Sequence, residues 1–503
     1  MVFVRFVRVL VSLAFAATVV GCAHVQNLPA NQPTAQPLPG AVTGGPADYL
    51  SEDDVMVGLA FSGGGTRAAA FSFGVMKELD RIPLPFAGHR VTLLDRVDIV
   101  TGVSGGSVTA AYFGLKGPRA LADFRERFLV QDAEAALETT LSFGTLARAF
   151  GGGVNGDVGL RRWLDANLFH GATFGTLLAR KRPQVVINAS DLYNRTPFVF
   201  TPETFAALCS DLGKYPVSAA VAASAAVPLA FAPVVLETYP DTCRTPLPAW
   251  MLRASEDPQA SPMAQAVARG MLRYRDGSMR YVKLVDGGVV DNFGLSSFTV
   301  AREAAATPYG PISARQAVKL RRILFIVVDA GQGPQGTWAK TLDGPGGIEL
   351  IAASADAALD ASVRASYTAF RATLSRWRDD LVRWRCSLSS SEVARLRDTT
   401  AGWNCRDVEW FVGRVAFDQL EPARAKVLDA VPTRFRLPAA QVDAVIDAGS
   451  DAIARHPALR GFLTSMGAPQ PPRIASAGPA ATVLEAAALE AAADEVVGSI
   501  RRR

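Results

Sequence analysis

Histidine is scarce in this chain, with four copies in 503 residues: His24, His89, His170 and His456. None stands beside a nucleophile motif, so a proton relay built on an imidazole has few places to form. Cysteine is nearly as rare, at five, and no Cys-x-x-Cys or His-rich cluster suggests a metal site. Charge is close to balanced, with 52 basic and 47 acidic residues, a formal net charge of +5 and no long basic run. Nucleic-acid binding therefore has little support. Internal repeats are absent. What remains is an ordinary globular composition, 49% hydrophobic and 20% charged, in a chain long enough to bury a large core.

The amino terminus carries Arg5 and Arg8, then the apolar run Val9 to Val20, interrupted only by Ser12 and Thr18. A basic start before a short apolar stretch reads as an export signal over residues 1–21 rather than a spanning helix. Val19-Val20-Gly21-Cys22 resembles the bacterial lipobox, whose cysteine is lipidated and becomes the new amino terminus. Acyl chains on Cys22 would hold the protein to a membrane. Ala23 follows that cysteine, and the resemblance to bacterial lipoproteins implies the cell envelope, on the periplasmic side of the outer membrane. An uncleaved anchor with an incidental cysteine is the competing reading. Residues 22–50, rich in Pro, Gln, Asn, Ala and Gly, read as a flexible tether. Setting Cys22 aside leaves Cys209, Cys243, Cys386 and Cys405, an even number suited to an oxidising compartment. Nearest-in-sequence pairing is one of three connectivities, and free buried thiols are the alternative.

Along the body, Val55 to Phe61, Val97 to Val103, Gln184 to Ile187 and Ile323 to Val328 read as buried strands. Helical stretches alternate with them: Ala68 to Leu79, Ser107 to Leu115 and Ala219 to Ala226. That alternation predicts an α/β fold with a mainly parallel central sheet and functional loops at the strands' carboxyl ends. Residues 347–385 read as one long helix, because Val363, Tyr367, Phe370, Leu374, Trp377, Leu381 and Trp384 form a continuous apolar stripe. It either packs across the body or acts as a lid or partner-binding helix. A late strand over Val408 to Phe417 and a helix from Ala439 to Arg455, stopped by Pro457, follow. The boundaries are then a catalytic domain over 51–335, a helical and strand part completing it over 336–465, and a tail over 466–503 with a terminal helix.

Three glycine-rich stretches carry the chemistry. Gly102-Val103-Ser104-Gly105-Gly106 has the Gly-x-Ser-x-Gly form of a nucleophile elbow, a sharp strand-to-helix turn with a hydroxyl at its tip. Ser62-Gly63-Gly64-Gly65-Thr66-Arg67 sits at another strand-to-helix junction and offers backbone N–H groups to an oxyanion, with Arg67 adding charge. It lacks the Gly-Lys-Ser/Thr of a Walker loop and the spacing of a dinucleotide fingerprint. Asp286-Gly287-Gly288 closes a strand and offers a carboxylate that can take the serine proton if its pocket makes it basic enough. The candidate residues are thus Ser104 and Asp286 for catalysis, Gly63, Gly64, Gly65 and Arg67 for the oxyanion hole, and Cys22 for lipid attachment. A rival arrangement pairs Ser104 with His89 and Asp98 or Asp329, although the chain order of an α/β-hydrolase puts the histidine last. A third reading is a non-catalytic envelope lipoprotein on an inactivated hydrolase fold.

Taken in order, Gly-Gly-Gly-Thr-Arg, Gly-Val-Ser-Gly-Gly and Asp-Gly-Gly resemble the patatin-like phospholipases. So do Ala223-Ser224-Ala225-Ala226-Val227-Pro228, with Phe231 and Pro233 after it, and Pro432-Thr433-Arg434-Phe435-Arg436-Leu437. The resemblance spans roughly residues 55–450. Ala68 stands where glycine often follows the arginine, and Asn292-Phe293-Gly294 where Asn-x-Pro is frequent. It implies an α/β/α sandwich with a helical carboxyl-terminal extension and a serine–aspartate dyad of Ser104 and Asp286, with neither metal nor cofactor. It also implies hydrolysis of carboxylic esters of membrane phospholipid or other lipids.

Overall fold

The computed structural model describes residues 25–38, 54–84, 91–137, 152–180, 182–334, 336 and 338–471. The expected signal segment, Cys22, His24, His89 and the terminal helix lie outside the described residues.

One eight-stranded sheet organises the chain. Its strands are β1 (Val55–Phe61), β2 (Val97–Val103), β3 (Gln184–Asp191), β4 (Thr196–Val199), β5 (Val234–Glu237), β6 (Tyr281–Val285), β7 (Arg322–Asp329) and β8 (Glu409–Ala416). Their spatial order is β8-β7-β1-β2-β3-β6-β5, with β4 paired to β3. The run from β8 to β3 is parallel throughout, whereas β4, β5 and β6 pair antiparallel. Buried on both faces, the inner strands are continuous apolar runs, as parallel strands under helices require. Because β8 extends this sheet through β7, Glu409–Ala416 belong to the same body as the earlier strands.

Alternate residues of each strand feed different layers. Val57, Leu59 and Phe61 of β1, with Leu324, Ile326 and Val328 of β7, join the larger core. On that face lie α1 (Gly65–Arg81), α2 (Gly105–Lys116) and α3 (Val217–Ser224). The opposite face sends Met56, Ala60, Ile323, Phe325 and Val327 into a second core. There it meets α5 (Ser296–Ala304) and α6 (Gly347–Ser387), while α4 (Pro262–Arg275) packs with α5 in a smaller third cluster. A later helix, α7 (Ala439–Arg455), returns to α1 on the first face. The layering is α/β/α. The predicted stripe of α6 is real: Phe370, Leu374, Trp377 and Leu381 are buried in the second core, with Val363, Tyr367 and Trp384 flanking. Most of residues 347–361 of the same helix is exposed.

Two details depart from expectation or settle an open choice. Residues 25–38 are not a loose tether but a strap along the sheet's outer edge. The Asn31 side chain pairs with both backbone groups of Glu237 in β5, accepting its N–H at 2.9 Å and donating to its carbonyl at 2.8 Å. Asn27 donates to the carbonyls of Ala232 and Pro233 and accepts the N–H of Asp157. A primary amide carries the same donor and acceptor as a peptide unit, so asparagine can close a strand edge that composition alone leaves open. Cysteine pairing is sequential, Cys209 with Cys243 and Cys386 with Cys405.

Candidate active site

Strand β2 stops at Val103 and α2 begins at Gly105, which leaves Ser104 alone at the corner with φ 50° and ψ −123°. A non-glycine residue holds such a backbone only where its surroundings over-determine it. Here its N–H donates to Ser224 Oγ at 2.9 Å, and its carbonyl accepts from the N–H and hydroxyl of Ser107. Ser224 in turn donates to the Asn188 carbonyl at 2.6 Å. Behind the corner, a Cβ on Gly105 would fall 1.9 Å from the Gly65 carbonyl oxygen. The elbow and the first glycine loop therefore touch backbone to backbone, which is why both motifs are made of glycine.

Asp286 leaves the end of β6 with its N–H on the Ala226 carbonyl at 2.8 Å. Its Oδ1 accepts the N–H of Gly288 at 2.8 Å, and its carboxylate is near enough to the Ser104 side chain for that hydroxyl to favour the ionised form. Burial raises the carboxyl from 3.8 to about 6, opposed by the Gly288 N–H and the Ser104 hydroxyl. Both side chains are buried. One segment fixes the two halves of the pair: Ser224 holds the backbone of Ser104, and Ala226, two residues on, holds that of Asp286. The short alanine-rich stretch at 223–228 thus acts as a spacer.

The four residues expected at the anion cradle take three different positions. Gly64, at φ 134°, and Gly65, at φ 59°, open α1, and their amides donate to no protein group among the described residues. Gly63 is a correction to expectation. Its N–H is directed at the backbone and side-chain oxygens of Asn292, each at 3.2 Å, so it is committed elsewhere. Arg67 is also engaged, through Nε to the Ala330 carbonyl at 2.9 Å and Nη1 to the Val431 carbonyl at 2.5 Å. Its Nη2 flanks Gly64, 3.1 Å from where a Cβ there would stand. Burial lowers its pKa to about 10, with Asp329 and Asp429 opposing. Arg67 thus ties two loops behind the glycines, with its charge one layer back.

Sequence reasoning missed Asn292, Ser224 and Asn188 as site residues, although Asn292 and Ser224 lie in quoted motifs. Asn292 is wedged between the strands' ends: its Oδ1 would be 2.4 Å from a Cβ on Gly63 and 2.8 Å from one on Gly288. Asn188 donates to Thr101 Oγ1 at 2.7 Å and to the Gly102 carbonyl at 3.1 Å, bracing the strand that carries the elbow. No rival relay assembles among the described residues. Asp98 accepts the Val57 N–H and faces Arg182 at the far end of β2, and Asp329 is tied to Arg414 at 2.6 Å. His456 caps a helix, its Nδ1 accepting the Ala458 N–H, and His170 occupies a left-handed turn.

A sheet with helices on both faces, carrying a serine elbow and a carboxylate at its carboxyl edge, is the architecture of a hydrolase. Residues 59–299 match the family model of patatin-like phospholipase, a match that supports a lipid ester hydrolase in general. Comparison with curated proteins finds no match. Among solved structures, human GIVD cytosolic phospholipase A2 aligns over 81% of this chain and 63% of its own, at 12% identity and a TM-score of 0.35. VipD from Legionella pneumophila aligns over 83% and 67%, at 13% identity and a TM-score of 0.27. The chain therefore spans less than two thirds of the length of the human enzyme.

Proposed function

We propose that the protein is a serine acyl hydrolase of the phospholipase A or lysophospholipase type, working through a dyad of Ser104 and Asp286. The observation that carries this reading is the buried Asp286 carboxyl, raised to about 6 and influenced by the Ser104 hydroxyl, beside the open amides of Gly64 and Gly65. Ser104 Oγ attacks the ester carbonyl carbon as its proton passes to the Asp286 carboxylate. The resulting oxyanion is stabilised by the Gly64 and Gly65 N–H groups at the positive end of α1. Collapse breaks the ester bond, and Asp286 returns the proton to the departing alkoxide. Water then repeats the sequence on the acyl-serine, with Asp286 taking its proton, and releases the fatty acid. A carboxylate held near pKa 6 is basic enough to serve while still ionised at neutral pH.

The same reading attaches the protein through lipidated Cys22 to the bacterial envelope, facing the periplasm, which would keep the enzyme close to membrane substrate. The test is Ser104→Ala, assayed with a p-nitrophenyl ester and with phospholipid and lysophospholipid vesicles. Turnover is expected to vanish, together with labelling of Ser104 by a fluorophosphonate. A folded variant that retained wild-type turnover would remove Ser104 from the mechanism. Wild-type protein that neither labelled nor turned over would favour the non-catalytic envelope lipoprotein.

A further inference from the structure

A cavity of about 280 Å³ lies at the opposite end of the sheet from the elbow. Met56 of β1, Ile99 of β2, Val186 of β3 and Ile323 of β7 form its floor, all near the amino ends of their strands. Ile99 and Ser104 are five residues apart on one extended strand, about 17 Å. Between them lies a polar layer in which Asn188 donates to Thr101 Oγ1 and Thr101 Oγ1 to the Gly294 carbonyl. The cavity is therefore separate from the space above Ser104.

Part of its wall is α5, where Ser297, Ala301 and Ala304 follow one another at helical spacing and present short side chains to the cavity beside Phe298 and Val300. Val186, Val199, Met271 and Phe298 line the void and are only half-buried, although they belong to interior layers. Apolar walls without partner atoms forfeit dispersion contacts that an apolar guest restores. The rim is polar. Arg180 gives one guanidinium nitrogen to the Leu115 carbonyl, while its Nε and Nη2 meet no protein acceptor among the described residues. Glu203 accepts the Trp250 indole N–H on Oε1 at 2.7 Å, and its other oxygen has no protein partner among the described residues. Burial raises this carboxyl above its ordinary range.

We propose that this cavity is a binding site for a single long acyl chain, with the anionic head of a fatty acid or a monoacyl lipid held at Arg180. Volume and lining fit that class: small-ligand pockets run from about 300 Å³ upward, so this one suits a slender chain and not a diacyl lipid. The inference does not rest on the dyad, since neither Ser104 nor Asp286 borders the cavity.

Trp250 and Trp377 both line the site and supply the probe. The full-length Ser104→Ala protein is titrated with cis-parinaric acid, read as energy transfer from tryptophan, and then challenged with palmitate or with lysophosphatidylcholine. One saturable site is expected. Displacement by palmitate alone assigns a fatty acid, displacement by the lysolipid assigns a monoacyl lipid, and displacement by neither overturns the proposal. Ala301→Trp and, separately, Ala304→Phe fill the void from successive turns of α5. Each should weaken binding at least about tenfold, close to 1.4 kcal/mol, without lowering the melting temperature. Arg180→Gln should weaken palmitate and spare a neutral monoacylglycerol. Unchanged binding in a folded filled variant, or loss of binding in wild type after fluorophosphonate labelling of Ser104, would place the acyl chain at the elbow instead.

Discussion

Replacing Asp286 by asparagine should make the protein more stable while silencing it. The buried carboxyl titrates near 6 and not at its ordinary 3.8. At about 1.4 kcal/mol per pKa unit, ionising it in the fold costs about 3 kcal/mol relative to the unfolded chain. The folded state binds this proton more tightly than the unfolded state does. Below pH 3.8 both states are protonated and the group contributes nothing. Between 3.8 and about 6 the unfolded chain ionises first, so stability falls as pH rises, and above about 6 the full penalty applies. Asparagine never ionises, keeps an oxygen for the Gly288 N–H and can donate its own N–H to Ser104 Oγ. At pH 8, Asp286→Asn should therefore exceed wild type by about 3 kcal/mol, a gap that narrows to about 1 kcal/mol near pH 4.5. Denaturant or thermal melts of both proteins at the two pH values read this directly, alongside an ester assay expected to show no turnover. If the variant melts at or below wild type at pH 8, or if the gap ignores pH, the carboxylate is not strained by burial and the argument for a poised base is wrong.

The ester kcat/KM of the wild type should climb with pH through about 6 and level off above it, because the base must be ionised to take a proton; a flat or falling profile over pH 5 to 8 contradicts this. Ser224→Ala leaves the buried Ser104 N–H and the Asn188 carbonyl without their partner. Each such loss costs roughly 1–3 kcal/mol; we expect lowered stability and kcat at least about tenfold lower with KM little changed, and wild-type values in both would remove Ser224 as the elbow's support. Arg67→Lys keeps the charge but cannot reach two carbonyls at once. It should resemble Arg67→Met in lost stability and activity, whereas rescue by lysine would return Arg67 to a purely electrostatic role at the oxyanion.

What could be read from the sequence follows from physical range. Buried parallel strands need apolar side chains on both faces, so Val55 to Phe61 and Ile323 to Val328 announce themselves as unbroken runs. The elbow is equally legible, since the serine at φ 50° is followed by a position where any Cβ would fall 1.9 Å from the Gly65 carbonyl oxygen, which leaves only glycine there. The antiparallel edge pieces β4 and β5 are four residues each and carry no such run. The partners of Arg67 are hidden for a related reason. Its place in the motif says that a cation follows the glycines, but its destination depends on the carbonyls of Ala330 and Val431, far along the chain. Gly63 fails the same way, through Asn292.

The strap at residues 25–38 shows why composition is a weak guide where polar side chains imitate backbone. Proline, glutamine and asparagine lower hydrophobicity, and a segment with little apolar surface has little to gain from burial. Asn27 and Asn31 take another route, each buried and each meeting both backbone donors and backbone acceptors. A side-chain amide satisfied on both sides removes the desolvation cost that keeps polar segments in water, and it stabilises the exposed edge of β5 in the same contact. Two asparagines six or more residues from the nearest hydrophobic run can therefore order a stretch whose average composition says linker. The same logic explains Asn188, Ser224 and Asn292 around the elbow. In each case a short polar side chain is spent on another residue's backbone, an interaction that leaves no periodicity for a sequence pattern to detect.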